Sequence, residues 1–356
     1  MTLALTLRDV KMAQTASKNR LNPIWQARLN RFKKNRLGVL ALALFCILFA
    51  VCMGANVVAN DKPLLVKYGG ELYVPIVKAY PETTFGGVFE TEADYKDPAV
   101  KHMIEQNGFM IMPPIEFADQ TPSVEIAMPY PAPPNTSNWL GTDDTGRDVL
   151  ARILYGMRIS LLFGLALTLA GSVIGIVVGA IQGYFGGWPD LIGQRFMEVW
   201  AGLPQLFMII ILVSLFSPSV WVLFGLMLLF GWMSLVGLVR AEFLRARNFD
   251  YVRAAHNLGV SDWQIMRRHI LPNALASSLS QLPFILTANI VALTSLDFLG
   301  YGLPPGSPSL GELMNQGKNN LDAPWLALSA FFSLTVVLSL LIFIGEALRD
   351  AFDPRR

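Results

Sequence analysis

The residue types that carry chemistry are sparse in this chain and are not spaced for it. The three histidines, His102, His256 and His269, are too few and too scattered for a multi-histidine metal centre. The two cysteines, Cys46 and Cys52, lie six apart inside an apolar run, which is neither a disulfide framework nor a zinc site. There is no phosphate-binding glycine loop closed by Lys-Ser/Thr, no nucleophile elbow and no His-Glu-x-x-His. The chain reads as a non-enzyme without cofactor or metal, and any nucleotide hydrolysis it depends on must occur elsewhere.

Composition explains the scarcity. The chain has 356 residues, of which 53% are hydrophobic and only 15% charged, with a mean hydropathy of +0.45. A soluble domain carries about 25% charged residues, so this one cannot cover a water-facing surface. The apolar residues gather into blocks of the length a bilayer requires, about 20 residues each. Six spans are predicted, at 37–59, 159–182, 196–217, 218–239, 274–299 and 324–348, with Ser217 and Pro218 breaking the middle pair.

The net charge of +2 implies no affinity for nucleic acid, but the signs are segregated. Residues 1–36 hold nine bases, among them Arg8, Lys11, Lys18 and Arg20, against Asp9 alone. Residues 240–273 hold six arginines against Glu242, Asp250 and Asp262, whereas 61–158 hold eight bases and fourteen acids. By the positive-inside rule both termini and 240–273 are cytoplasmic, and 61–158 and 300–323 lie outside. The organisation expected is a basic cytoplasmic N-terminus at 1–36 and a first span at 37–59. An exterior insert with a pre-membrane helix follows at 60–158, then a five-helix core at 159–348 and a cytoplasmic tail at 349–356. Inside the insert, 64–68 and 72–77 read as strands and 98–106 as a short helix, before a proline-rich return at 128–134. Trp25, Leu29 and Phe32 share a helical stripe opposite Arg28, Arg31, Lys33 and Lys34. That pattern suits a helix in the headgroup layer of the membrane lipid, or a basic flank that only sets topology.

Three patterns could position function. Gly171, Gly175, Gly179 and Gly183 recur every fourth residue, so they share one face and let another helix approach closely, in this chain or in a second subunit. Ser277, Ser280, Thr287, Thr294 and Asp297 are spaced to share a face of the fifth span. They would line a hydrophilic path, or else bond their own helix backbone; Asp297 falls at the outer end, where a charge is cheap. The third pattern is the cytoplasmic segment 240–273, read from Tyr251 onward. A short helix with Val252, Ala255 and Leu258 on one face would stop at Gly259. Ser261 would cap a second helix carrying Trp263, Ile265 and Met266, and Pro272 marks the next span. Helix, glycine, helix on the inner face suits a rigid knob for a partner, or a loop packed only on its own bundle.

Arg253, Ala254 and Ala255 with Gly259, then Ile270, Leu271 and Pro272, resemble the cytoplasmic EAA loop of binding-protein-dependent ABC importer permeases. Arg253 replaces the motif's usual glutamate and His269 its usual isoleucine, and the arginine form is similar to the dipeptide/oligopeptide subfamily. Trp139, Leu140, Gly141, Thr142, Asp143, Asp144, Gly146, Arg147 and Asp148, followed by Arg152, resemble the segment before the second span of such permeases. Residues 296–311 resemble their outer loop, and Arg349, Asp350, Asp353, Pro354 and Arg355 their ending. The long insert, with Phe85, Gly86 and Gly87 and Met112, Pro113, Pro114 and Ile115, resembles Yej-type permease subunits for microcin C and oligopeptide uptake. The resemblance implies an all-α polytopic membrane protein of type I ABC importer permease fold, six transmembrane helices and a small extracytoplasmic insert domain, in the bacterial inner membrane. It implies a second permease subunit, ABC ATPase subunits, a periplasmic peptide-binding protein and a peptide substrate. Tyr251, Arg253, Ala254, Ala255, Gly259, Ser261, Ile265, Arg267, Arg268, Leu271 and Pro272 would couple ATP hydrolysis to the path. An ion-gradient transporter needs ionisable groups deep in the spans, but Glu198 and Glu346 lie near predicted cytoplasmic ends. A membrane-embedded enzyme needs paired catalytic groups at depth, and the spans carry none.

Overall fold

The structure is a computed structural model and describes residues 23–123 and 129–352. Arg8, Lys11, Lys18 and Arg20, the start of the proline-rich return and the ending Asp353, Pro354 and Arg355 lie outside those residues.

Helix α1 (Pro23–Lys34) leads into α2 (Arg36–Met53), which Asn35 starts by accepting from the Gly38 N–H at 3.0 Å. The apolar stripe of α1 is seated on this chain's own last helix. Phe32 is buried against Ala347 and Ala351, and Trp25 meets Phe352 edge to face with Arg28 over both rings.

The insert begins as a three-stranded antiparallel sheet in the order β2-β1-β3: β1 Leu65–Tyr68, β2 Glu71–Tyr73 and β3 Gly108–Ile111. Helix α3 (Pro98–Asn107) starts on an Asp97 cap and links back to β3. The first expected strand and the helix are present, the second is confined to Glu71–Tyr73 and gives way to a turn, and β3 was not expected; with this sheet the chain is not purely α. Phe85 sits at the centre of a core made with Val66, Tyr95, Val100 and Ile104, and four tyrosines meet its ring or each other edge to face. The sheet unit leaves and re-enters at one place, because Ile115 exchanges backbone hydrogen bonds with Val58 and Asn60. Residues 115–123 and 129–148 form a strap lying on the bundle: Ile115 and Phe117 are buried against Ala55, Ala59, Ala151 and Tyr155.

The bundle consists of α4 (Val149–Phe185), α5 (Gly187–Ala201), α6 (Gln205–Ser214), α7 (Val220–Gly231), α8 (Val236–Ala246), α9 (Asp250–Asn257), α10 (Asp262–Ile265), α11 (Leu271–Leu279), α12 (Leu282–Phe298), α13 (Leu310–Asn319) and α14 (Pro324–Phe352). Among the described residues four helical stretches can cross a membrane unbroken, Arg36–Met53, Val149–Phe185, Val220–Ala246 and Pro324–Phe352. Two more spans form if each bent pair counts as one: α5 with α6, bent by 74°, and Asp262–Leu279 with α12, bent by 55°. The predicted third span is therefore not one straight helix from 196 to 217. Pro204 lacks an N–H and breaks it, and its first half begins at Gly187. The predicted second span starts ten residues early because Asp148 caps at Ala151, so the expected pre-membrane helix and the span are one 37-residue rod. At about 1.5 Å per residue that rod exceeds the bilayer core. It is the spine of the bundle. One side packs Ile153, Met157 and Leu161 against Leu286, Ile290, Leu313, Leu326 and Ala330; another packs Phe163 and Leu167 against Leu223, Met227 and Phe230.

Candidate functional site

The glycine face of α4 settles which helix approaches it. A Cβ on Gly175 would stand 2.6 Å from the Trp232 carbonyl oxygen, one on Gly179 2.7 Å from that of Val236, and one on Gly183 2.5 Å from that of Arg240. Gly171 has 3.6 Å to its nearest neighbour, Trp232 Cα. The partner is this chain's own 232–243 stretch, the 3-10 turn Trp232–Leu235 running into α8. With no side chains between them, the two backbones pack directly. Arg240 extends the seam by a bidentate pair with Asp190 of α5, one arm at 2.7 Å.

At the end of this seam stands the segment 250–272. Helix α9 buries Val252 and Ala255 and turns Arg253, Ala254 and His256 outward. Its stop is a Schellman motif: the Gly259 N–H donates to the His256 carbonyl at 3.0 Å and the Val260 N–H to that of Ala255 at 3.1 Å, with Gly259 at φ +79°. Ser261 stands at the N-cap of α10, though its hydroxyl makes no capping bond. Ile265, Met266 and Ile270 then turn inward onto Ala180, Val239, Phe243, Ala246 and Ala274. Residues Met266–Ile270 widen into a π turn directly before Pro272. A ring at that position clashes with the carbonyl four residues back, and the wider turn relieves it. Tyr184 at the foot of α4 donates its hydroxyl to Asp262 at 2.6 Å, and Arg247 donates to the Tyr184 carbonyl at 3.3 Å. The knob is thus mounted on the spine through an apolar floor and two polar ties.

Three expectations change here. Leu258 does not join Val252 and Ala255 on the buried face. It closes the helix and is 84% exposed, with Trp263 beside the next turn at 68%. Ala255 and Ile265 hold the knob to its own bundle and are not available to a partner. The outward set is Tyr251, Arg253, Ala254, Leu258, Gly259, Ser261, Trp263, Arg267, Arg268 and Pro272, with Leu271 half-buried.

The polar stripe does not survive as one face. The helix bends at Ser280, so Ser277 and Ser280 belong to α11 or the bend, and Thr287, Thr294 and Asp297 to α12. Ser280 donates to the Ser277 carbonyl, Thr287 to that of Pro283 and Thr294 to that of Ile290, all within 2.9 Å. Their hydroxyls bond the helix backbone, and this geometry does not recommend them as path lining. Asp297 is buried instead of sitting where charge is cheap: it accepts from the Leu303 N–H at 2.6 Å and from the hydroxyl of Ser309, which in turn caps α13.

Sequence reasoning missed a buried lock at the other end of the spine. Arg152 is fully buried; it reaches Glu312 Oε2 at 2.7 Å, the Ser307 carbonyl at 3.1 Å and the Asp119 carbonyl at 3.2 Å. Its Nε lies 3.4 Å from Asp143 Oδ2 without a hydrogen bond. Arg147 pairs with the same Asp143 at 2.8 Å, and Gln120 donates to the Gly306 carbonyl at 2.6 Å. Strap, spine and the loop before α13 are therefore fastened at one point. Burial pushes the Asp148 carboxyl up, against the Ala151 and Asn138 donors that favour its charge. The motif 139–152 marked the strap side of this lock, but nothing local pointed to Glu312, 160 residues away.

Residues 157–356 match the family of binding-protein-dependent transport system inner membrane components. The chain is 58% identical over 338 residues to the inner membrane ABC transporter permease protein YejE of Escherichia coli (strain K12), covering 95% of this chain and 99% of that protein. It is 52% identical over 359 residues, 94% of each, to the peptidoglycan transport system permease protein YejE of Agrobacterium fabrum. The oligopeptide transport system permease protein OppC of Lactococcus lactis subsp. cremoris is 38% identical over 65% of this chain and 81% of its own length.

Proposed function

We infer the function from one premise: this chain belongs to the family of binding-protein-dependent transport system inner membrane components. It is a transmembrane permease subunit of an ATP-binding-cassette importer that moves peptides across the bacterial inner membrane. Relatives named for oligopeptide and for peptidoglycan transport support that substrate class, within which we place peptide antibiotics of the microcin C kind. ATP is hydrolysed by partner ABC subunits, a second permease chain completes the type I fold and the path, and a periplasmic binding protein delivers the peptide. Both termini and 240–273 are cytoplasmic; the insert is outside.

The observation that carries the coupling is the mounting of the knob. Outward-open and inward-open packings can be biased only by a partner with different affinity for each. A displacement imposed at Leu258 and Trp263 reaches α4 and α8 because Val252, Ala255, Ile265 and Ile270 are buried in one cluster with Ala180, Val239, Phe243 and Ala246. Gly259 tests the reading. Nothing stands within 4 Å of a Cβ there, so an arginine would project into the space a partner must enter, at a backbone strain of about 1–2 kcal/mol. Gly259→Arg is expected to insert and accumulate normally and to abolish peptide uptake. Gly259→Asn, which tolerates the left-handed backbone, is expected to keep it. Normal uptake by a normally abundant Gly259→Arg protein refutes docking at this surface.

A further inference from the structure

The apolar tip of the knob is flanked by positive charge that this chain does not neutralise. Nearby bases are engaged: Arg245 with Glu242, Arg240 with Asp190, Arg247 with the Tyr184 carbonyl. Among the described residues Arg253, His256, Arg267 and Arg268 have no ion pair. The same segment offers two acids, Asp250 at the start of α9 and Asp262, whose carboxylate already accepts from Tyr184. Beside α9 opens a cleft of about 470 Å³, whose lining includes Tyr184, Phe185, Arg247, Arg253, His256 and Asp262. Val252 and Phe185 give it an apolar wall; of its charged groups Arg247 and Asp262 are tied to Tyr184, which leaves Arg253, with His256 one turn on, facing the opening without an ion pair.

We propose that this cleft receives an acidic segment of the ATPase partner, with Arg253 and His256 meeting its carboxylates while Leu258 and Trp263 enter an apolar recess beside it. This rests on the reading that an ATPase docks on the knob and adds the chemistry of the surface it must present: an apolar floor with an acidic rim. The two parts do different work. Leu258 and Trp263 supply the area that holds the subunits together, whereas charges at a rim set orientation, partner choice and salt dependence. A partner presenting bases there would bring like charges together, so the arrangement also excludes ATPases of the wrong importer. A cleft of this size could accept a small phosphorylated molecule on volume alone. It is open to solvent, however, and Arg253 and His256 lie on the outward face that leads to the exposed Leu258, which favours a protein surface.

The test uses the full-length tagged chain, co-expressed with its partner subunits and purified from its own membranes, with retained ATPase subunit measured from low to high salt. Wild type is expected to lose ATPase gradually as salt rises. The double variant Arg253→Glu/His256→Glu is expected to retain about tenfold less at low salt and to show little further salt dependence; Arg253→Lys is expected to behave as wild type. Leu258→Asp should release the ATPase at every salt. Retention by the double variant equal to wild type, with Leu258→Asp still defective, overturns the acidic-rim proposal and leaves docking intact. If neither variant moves retention, docking at the knob itself fails. Loss of a copurifying phosphorylated small molecule from the double variant, with ATPase retained, overturns the proposal in favour of a small anion.

Discussion

Substituting alanine in turn at Gly171, Gly175, Gly179 and Gly183 separates helix propensity from helix contact. In an isolated helix each change would gain about 1 kcal/mol, since alanine loses less backbone entropy than glycine. At Gly171 the added methyl finds its nearest neighbour at 3.6 Å, ordinary contact, so most of that gain is expected to remain. At Gly183 it would stand 2.5 Å from the Arg240 carbonyl oxygen and 2.6 Å from Phe243 Cβ, and neither atom can rotate away. Relief requires α4 and α8 to part by about 0.5–1 Å, which forfeits roughly a quarter to a half of the contact energy of each atom pair along the seam. Overpacking of this kind costs about 1–3 kcal/mol, so after the helix-propensity gain Gly183→Ala should be net destabilising by up to about 2 kcal/mol, with Gly175 and Gly179 close behind. Reversible unfolding in mixed micelles, with each variant compared at its denaturant midpoint, reads the difference. Because α8 also carries Val239 and Phe243 under the knob, peptide uptake should fall in the same order. Four alanine variants with one common midpoint, or a Gly183→Ala protein as stable as Gly171→Ala, would refute direct backbone packing at this seam.

Two further outcomes follow from the half of the molecule that carries the insert. Arg152→Ala removes the buried cation between Glu312 and Asp143 and leaves Arg147, 2.8 Å from Asp143 and 3.6 Å from Glu312, to pair with both; it should destabilise the protein by about 1–3 kcal/mol, measured by the same unfolding midpoint, and an unchanged midpoint would mean that water reaches this cluster. Excising residues 62–113 and joining the ends through a short glycine linker should leave insertion and the bundle's midpoint unchanged, because Val58, Asn60 and Ile115 are already hydrogen-bonded neighbours. Binding-protein-dependent uptake by that variant is expected to fall, and undiminished uptake removes the sheet unit from the mechanism. Together with the Gly259 substitutions, these experiments address the seam, the lock, the insert and the knob separately.

The first, second, fourth and last spans, the break at Ser217 and Pro218, the helix after Asp97 and the stop at Gly259 were readable from the sequence, whereas the bends within the third and fifth spans were not. Each is set by residues within one or two turns: apolar runs, missing N–H groups, caps and a left-handed backbone. The four-residue glycine period likewise announced a close neighbour, and the segment from Tyr251 announced a short helix, a glycine and a second helix. Identity of residue type carried that information because local backbone energetics act over a few residues.

What the tertiary structure decided were the pairings. It assigned the glycine face to 232–243, seated Trp25 and Phe32 on α14, sent Ala255 inward and Leu258 outward, and split the polar stripe at Ser280. It also joined Arg152 to Glu312 across 160 residues and buried Asp297 against Ser309. Hydropathy says that a residue leaves water, not which surface it meets, since one apolar face fits many others nearly equally well. The choice among them comes from close packing and from the demand that every buried charge and N–H find a partner, and both are satisfied only once the whole chain is in place.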